Sequence, residues 1–230
     1  MKKTSPSNIL VFVKRVGRPA FTTHELVTLS GRSASNVTQC LRRLVQQGLL
    51  HKIYRGIWTE ATHSKISPFE ILPCLLPRHR VYVSFITALH LHGIVEQIPQ
   101  VVTLASPSHA KMLRTQAGVF SVHQIAPGFF DGFDWYKGEG SFLIATPEKA
   151  LVDSLYLSSR KKKQFGSFPE LRFPKNFSFK KAHQWVQRIS EQKIRQHVLE
   201  KLKKIEGRTS HLKDLNIKKN NDSGSIAVQI

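Results

Sequence analysis

In RSASNVTQCLRRLVQQG, residues 32–48, the side chains able to hydrogen-bond a base edge recur at helical spacing. On a wheel of about 100° per residue, Ser35, Gln39, Arg42 and Gln46 share one side, opposite Val37, Leu41 and Leu44. Asn36 and Arg43 lie on a flank. Asn and Gln can pair bidentately with adenine, and Arg with guanine, each good pair discriminating by about 1–3 kcal/mol. Residues 26–59 contain neither Asp nor Glu, whereas a solvated helix face ordinarily mixes Glu with Lys. The chemistry on offer is therefore the reading of duplex DNA. An ordinary exposed polar face, or a surface that docks a protein, stands beside it as the plainer alternative.

Arg32, near the start of that helix, and Lys52 and Arg55 just beyond it are expected to hold phosphates, which sets register without reading sequence. The elements that must position these groups are legible locally. SPSNILVFVKRVG carries Ile9, Phe12, Val13 and Val16 at steps of three and four before Gly17. TTHELVTLSG offers a capping box in Thr22 and Glu25, an apolar face in Leu26 and Leu29, and a stop at Gly31. A third helix runs from Ser33 to about Gln47, and LLHKIYRGIWTE reads as two strands joined at Arg55-Gly56. Helix, turn, helix and hairpin in this order predict a winged helix-turn-helix over residues 1–63.

Thirty-five basic residues against fifteen acidic give a net charge of +20. Such a balance suits a polyanionic partner, commonly nucleic acid, though a ribosomal or anionic-membrane partner is compatible; charge alone gives attraction without sequence selection. No apolar run is long enough to span a membrane. MKKTSPSNILVFVKRVG imitates a secretory signal, but the apolar run is short and Lys14 and Arg15 follow where small residues should stand, so the expected location is cytoplasmic. Cys40 and Cys74 stand far apart without a CxxC partner and read as structural thiols.

Beyond residue 63 the pattern predicts a mixed α+β second domain over 64–206. ATHSKISPFE leads to a helix around 69–76, and VYVSFITALHLHG to one over 85–92 with Ser84 as cap. VVTLAS, VFSVHQIA and SFLIA alternate as strands, and Thr146-Pro147 opens a helix to about Ser158. One or two helices follow from residue 175. Residues 207–230 are polar and read as a loosely ordered tail. The expected class is α+β: an N-terminal winged helix-turn-helix, a mixed α+β C-terminal domain and a C-terminal helical segment.

Catalytic constellations are weak. His90 and His92 are two apart, where a helical zinc pair wants i and i+4. Lys149 and Asp153 read as a helix-surface ion pair. Glu191-Gln192-Lys193 echoes a nuclease ExK without a fitting upstream Asp, and no P-loop, HExxH, GxSxG or dinucleotide turn occurs. FFDGFDWY suits core and hairpin packing better than base stacking. RKKK at 160–163 is either a solvated loop or a second phosphate-tracking patch. The chain reads as a non-enzyme that asks for no metal and no cofactor.

GLLHKIYRGIW, YVSFITALHLHGI, VTLAS, FSVHQIAP and IATPEKALVDSLYL together resemble the AbiEi family, antitoxins and autorepressors of type IV toxin–antitoxin (abortive infection) systems. The likeness covers about residues 5–206, and YVS–AL–HG and ATPEKALVD are its specific part. It implies a DNA-binding domain that represses its own operon at inverted repeats. It also implies a second domain that neutralises a neighbouring nucleotidyltransferase-like AbiEii toxin without a stable complex. By position it carries over the recognition helix and wing: Arg32, Ser35, Asn36, Gln39, Arg42, Arg43, Lys52 and Arg55. The nucleotidyltransferase's own signature is missing, because Gly140-Ser141 runs into FLIA without paired carboxylates. A winged-helix regulator without a toxin, whose second domain senses a ligand or binds a protein, is the alternative.

Overall fold

Thr22 and Glu25 cap each other as their spacing predicts. The Glu25 amide donates to Thr22 Oγ1 at 3.1 Å, and the Thr22 amide donates to Glu25 Oε2 at 2.7 Å. They open the second of three N-terminal helices in the computed structural model: α1 (Ser7–Val16), α2 (Thr23–Ser30) and α3 (Ala34–Gln46). The structure describes residues 7–63, 66–76, 80–138, 141–160 and 168–222, with backbone alone at 7–8 and 210–222. Val37, Cys40, Leu41 and Leu44 of α3 pack with Leu26, Ile9 and Val13 in one apolar cluster. Leu29, expected beside Leu26, is 47% exposed. The buried arc of α2 turns from Leu26 toward Val27, which packs on the cluster, and Leu29 lies about 60° the other way.

Strands β1 (Ala20–Thr22), β2 (Leu50–Tyr54) and β3 (Ile57–Glu60) form an antiparallel sheet in the order β1-β3-β2. Three residues of β1 are too few to show alternation, so sequence pattern missed it. A 3-10 turn at Pro68–Ile71 and a short α4 (Leu72–Leu75) replace the longer helix expected there. Pro68 opens the turn, and Pro73, with no amide to donate, separates it from α4.

A second, mixed sheet follows, made of β4 (Tyr82–Val83), β5 (Val101–Ser106), β6 (Lys111–Thr115), β7 (Gly118–Gln124), β8 (Phe133–Trp135) and β9 (Leu143–Ala145). Its order is β6-β7-β5-β4-β9-β8. β5 runs parallel to β7, β4 parallel to β9, and the β4–β5 and β6–β7 pairs are antiparallel. The expected strands appear as β5, β7 and β9, while KMLRT and FDW add β6 and β8. In the aromatic run Phe129 is buried while Phe130, Phe133 and Tyr136 are half-buried, and Tyr82 lies 4.6 Å from Phe133 and 5.1 Å from Phe130 between ring centroids. Trp135 is the exception, at 60% exposed. The chain is a mixed α+β protein.

Two compact units form, each built from two separate stretches of the chain. One comprises Met1–Val83 and Gln100–Ile144, the other Ser84–Pro99 and Ala145–Ile230. Long-range hydrogen bonds join the first: the Cys74 thiol donates to the Ala20 carbonyl at 3.6 Å, and the Gln116 amide to the Ile53 carbonyl at 3.1 Å. Burial pushes the Cys74 thiol from its ordinary 9.0 up to about 11, partly offset by the Arg18 guanidinium. Two pH units correspond to about a hundredfold less thiolate. Cys74, also only 4% exposed, should therefore resist iodoacetamide at pH 8 in the folded protein and be alkylated at that pH once urea unfolds it, followed by mass spectrometry. Across pH 9–11 the unfolded thiol has lost its proton and the folded one has not, so stability should fall through that window and fall less in Cys74→Ala.

The second unit gathers α5 (Phe85–Leu91), α6 (Pro147–Ser159), α7 (Phe179–Gln187) and α8 (Gln192–Asp222). Thr146 Oγ1 accepts the Lys149 amide at 3.4 Å and Pro147 takes the first helical position, as the sequence predicts. The reading of Lys149 and Asp153 as a surface pair is corrected. Both side chains are fully buried and form an ion pair, because every residue of α6 from Glu148 to Leu157 is buried. Ser84, expected to cap α5, makes no cap bond with its side chain; its hydroxyl donates to Asp153 Oδ2 at 2.7 Å. Phe85 then enters α5 at φ 57°, a left-handed conformation costing a bulky residue about 1–3 kcal/mol and held by its complete burial. His90 Nδ1 and His92 Nε2 donate to the carbonyls of Val95 and Ala145 at 3.0 and 2.8 Å.

α8 continues through the first part of the polar stretch read as a tail, to Asp222. Its sequence to that point has no proline to stop it. Residues 223–230 lie outside the described residues, as do 161–163 of RKKK. Arg160 is described, with its guanidinium 4.8 Å from the centroid of the Tyr156 ring.

Candidate nucleic-acid interface

α3 is positioned at both ends by local chemistry. Gly31 ends α2 at φ 64° and donates its amide to the Val27 carbonyl at 3.0 Å. Two residues later the Ser33 hydroxyl accepts the Asn36 amide at 3.3 Å and starts α3. With Val37, Cys40, Leu41 and Leu44 inward, Ser35, Gln39, Arg42, Arg43 and Gln46 are exposed. Five of the eight side chains assigned to the interface, counting Asn36 as half-buried, therefore sit on or beside one face of this helix.

Asn36 differs from its expected role in one respect: its Oδ1 accepts the Cys40 thiol at 3.7 Å. Pairing both edges of its amide with adenine would require releasing that contact. Arg32 is half-buried at the α2–α3 turn, and its Nη1 is out of solvent with no acceptor among the described residues. A buried guanidinium nitrogen without an acceptor is costly.

The β2–β3 hairpin is tied to α2. The Thr23 amide donates to the Gly56 carbonyl at 2.9 Å, and Trp58 Nε1 donates to Thr23 Oγ1 at 2.8 Å. Gly56 takes φ 74° in the hairpin turn, leaving Arg55 exposed at the tip. Lys52 is exposed across the ladder from Trp58, its Nζ 5.8 Å from the ring centroid. The register slips between Lys52 and Tyr54, so Ile53 is a bulge whose carbonyl faces away from β3 and accepts Gln116. Neither the Thr23 anchor nor the Gln116 contact had a local signal in the sequence.

A second feature of this unit is a cavity of about 270 Å³ lined chiefly by Tyr82, Phe130, Phe133, Phe142 and Leu104. Arg80 lies at it, with its guanidinium 5.2 Å from the centroid of Phe130. Among the described residues no three His, Cys, Asp or Glu side chains gather as a metal site, and no helix is long and apolar enough to cross a membrane. The chain matches no protein-family model, and no curated protein matches it.

Proposed function

We propose that residues 7–63 form a winged helix-turn-helix that reads duplex DNA, and that the chain is a sequence-specific repressor of its own promoter. The observation that carries this reading is the exposed Ser35–Gln39–Arg42 face of α3, with Arg43 beside it, in a stretch without a single carboxylate. Gln39 and Arg42 take the base edges; Arg32, Lys52 and Arg55 take phosphates, and the Thr23–Gly56 bond keeps the wing tip in place. The resemblance of YVS–AL–HG and ATPEKALVD to AbiEi segments extends the proposal to an antitoxin acting on a nucleotidyltransferase-like toxin without a lasting complex.

A gel-shift titration on the upstream DNA of its own gene tests the first part. A retarded complex on that duplex, outcompeted poorly by a scrambled one, is expected. Arg55→Ala should weaken binding to both duplexes alike and lower the salt slope by about one. Co-expression with the adjacent gene tests the second part, with restored growth as the expected result. The aromatic cavity beside Arg80 favours one other reading, a regulator that senses a small molecule. Growth that is not restored, together with a ligand-induced shift in promoter affinity, would replace the antitoxin proposal with that one.

A further inference from the structure

β2 is an edge strand, and an edge presents unpaired backbone groups that a neighbour can cover. At its bulge that neighbour is the β6–β7 hairpin. Thr115 and Gly118 close a two-residue turn through Gln116 and Ala117, and Thr115 Oγ1 accepts the Ala117 and Gly118 amides at 3.2 and 3.1 Å. The Gln116 amide reaches the Ile53 carbonyl at 3.1 Å, so the tip of this hairpin is fixed to the wing. Ile53 is one residue from Lys52 and two from Arg55, while Gln116 is two from Arg114. At about 3.3 Å per residue along a strand, the three cations stem from backbone within about 15–20 Å. A duplex carries one charge per about 1.7 Å of axis, so a surface of that width faces several phosphates.

Composition supports the same grouping. The wing lies in the acid-free stretch 26–59, and the hairpin lies in a second acid-free stretch, 97–130. Arg114, Gln116 and Met112 are exposed, and Lys111 is half-buried. Leu113 pairs with the buried Phe120, while Met112 and Arg114 alternate to the other face of the strand. The hairpin therefore presents a cation and an amide next to the wing, on a ribbon held rigidly by its own turn.

We propose that the β6–β7 hairpin is a second phosphate-gripping ribbon, with Arg114 as its principal contact, extending the footprint of the wing along the same duplex. The proposal rests on the DNA-reading function above. It assigns to the hairpin affinity and register, without base selection, because a guanidinium on phosphate carries no sequence information.

The test uses the full-length protein with a promoter duplex and a scrambled duplex of equal length, titrated from 50 to 200 mM salt. Arg114→Ala should weaken both complexes by the same factor and reduce the salt slope by about 0.9, so that the penalty shrinks about threefold across that range. Arg114→Lys should retain most of the affinity, and Arg114→Glu should lose more than alanine, with thermal midpoints unchanged for all three. Wild-type binding with an Arg114→Ala protein of equal affinity and slope would overturn the hairpin's role while leaving the DNA-reading function intact. A wild-type protein that retards neither duplex would overturn both. Loss confined to the promoter duplex would also overturn the proposal, by making Arg114 a reader of bases.

Discussion

Arg42→Ala is expected to lower affinity for the promoter duplex by about 1–3 kcal/mol, roughly 5- to 150-fold, with a much smaller loss on scrambled DNA. The asymmetry follows from what the guanidinium does on each. Against a guanine it satisfies two acceptors at fixed geometry; elsewhere it is one diffuse charge among many. Gln39→Ala sharpens the comparison because it removes no charge, so its loss should fall on the promoter duplex alone and its salt slope should match the wild type. Both side chains are exposed while the inward face of α3 is buried, so neither substitution should move the thermal midpoint. Equal losses on both duplexes would mean that the helix tracks phosphates and reads nothing.

The second large effect concerns stability. Asp153→Ala should destabilise the protein by about 3–5 kcal/mol, measured as the shift in urea midpoint, because it leaves the Lys149 ammonium fully buried beside Trp185 without its carboxylate. Ser84 loses its acceptor in the same variant. Replacing the pair together, as Lys149→Met with Asp153→Leu, should cost much less than the single change, since apolar groups of similar volume need no counter-ion. A loss below about 1 kcal/mol for Asp153→Ala would show that water reaches the pair. YVS and ATPEKALVD, the segments on which the AbiEi resemblance leans most, meet at this cluster, so packing alone accounts for Ser84, Lys149 and Asp153.

The N-terminal elements were legible for physical reasons that can be named. The Thr22–Glu25 box, the Ser33 cap, Gly31 and Gly56 each act within a few residues, where backbone geometry leaves little choice. The periodicity of α3 likewise separated its buried from its exposed side chains, because a 3.6-residue repeat places them before anything packs. Asn36 was harder: the wheel put it on a flank, and only the Cys40 contact revealed a commitment of its carbonyl oxygen.

Sequence by itself determined the acid-free helix α3, the hairpin behind it and the caps that delimit both, since these depend on neighbours at most a few positions away. Tertiary structure decided that Lys149 and Asp153 are interior, that Leu29 faces solvent and that residues 100–144 join the N-terminal unit. It also decided that the edge of β2 is closed by Gln116. Burial and edge pairing are set by whichever distant segment supplies the partner, and a carbonyl at Ile53 bears no local mark of an amide arriving from residue 116.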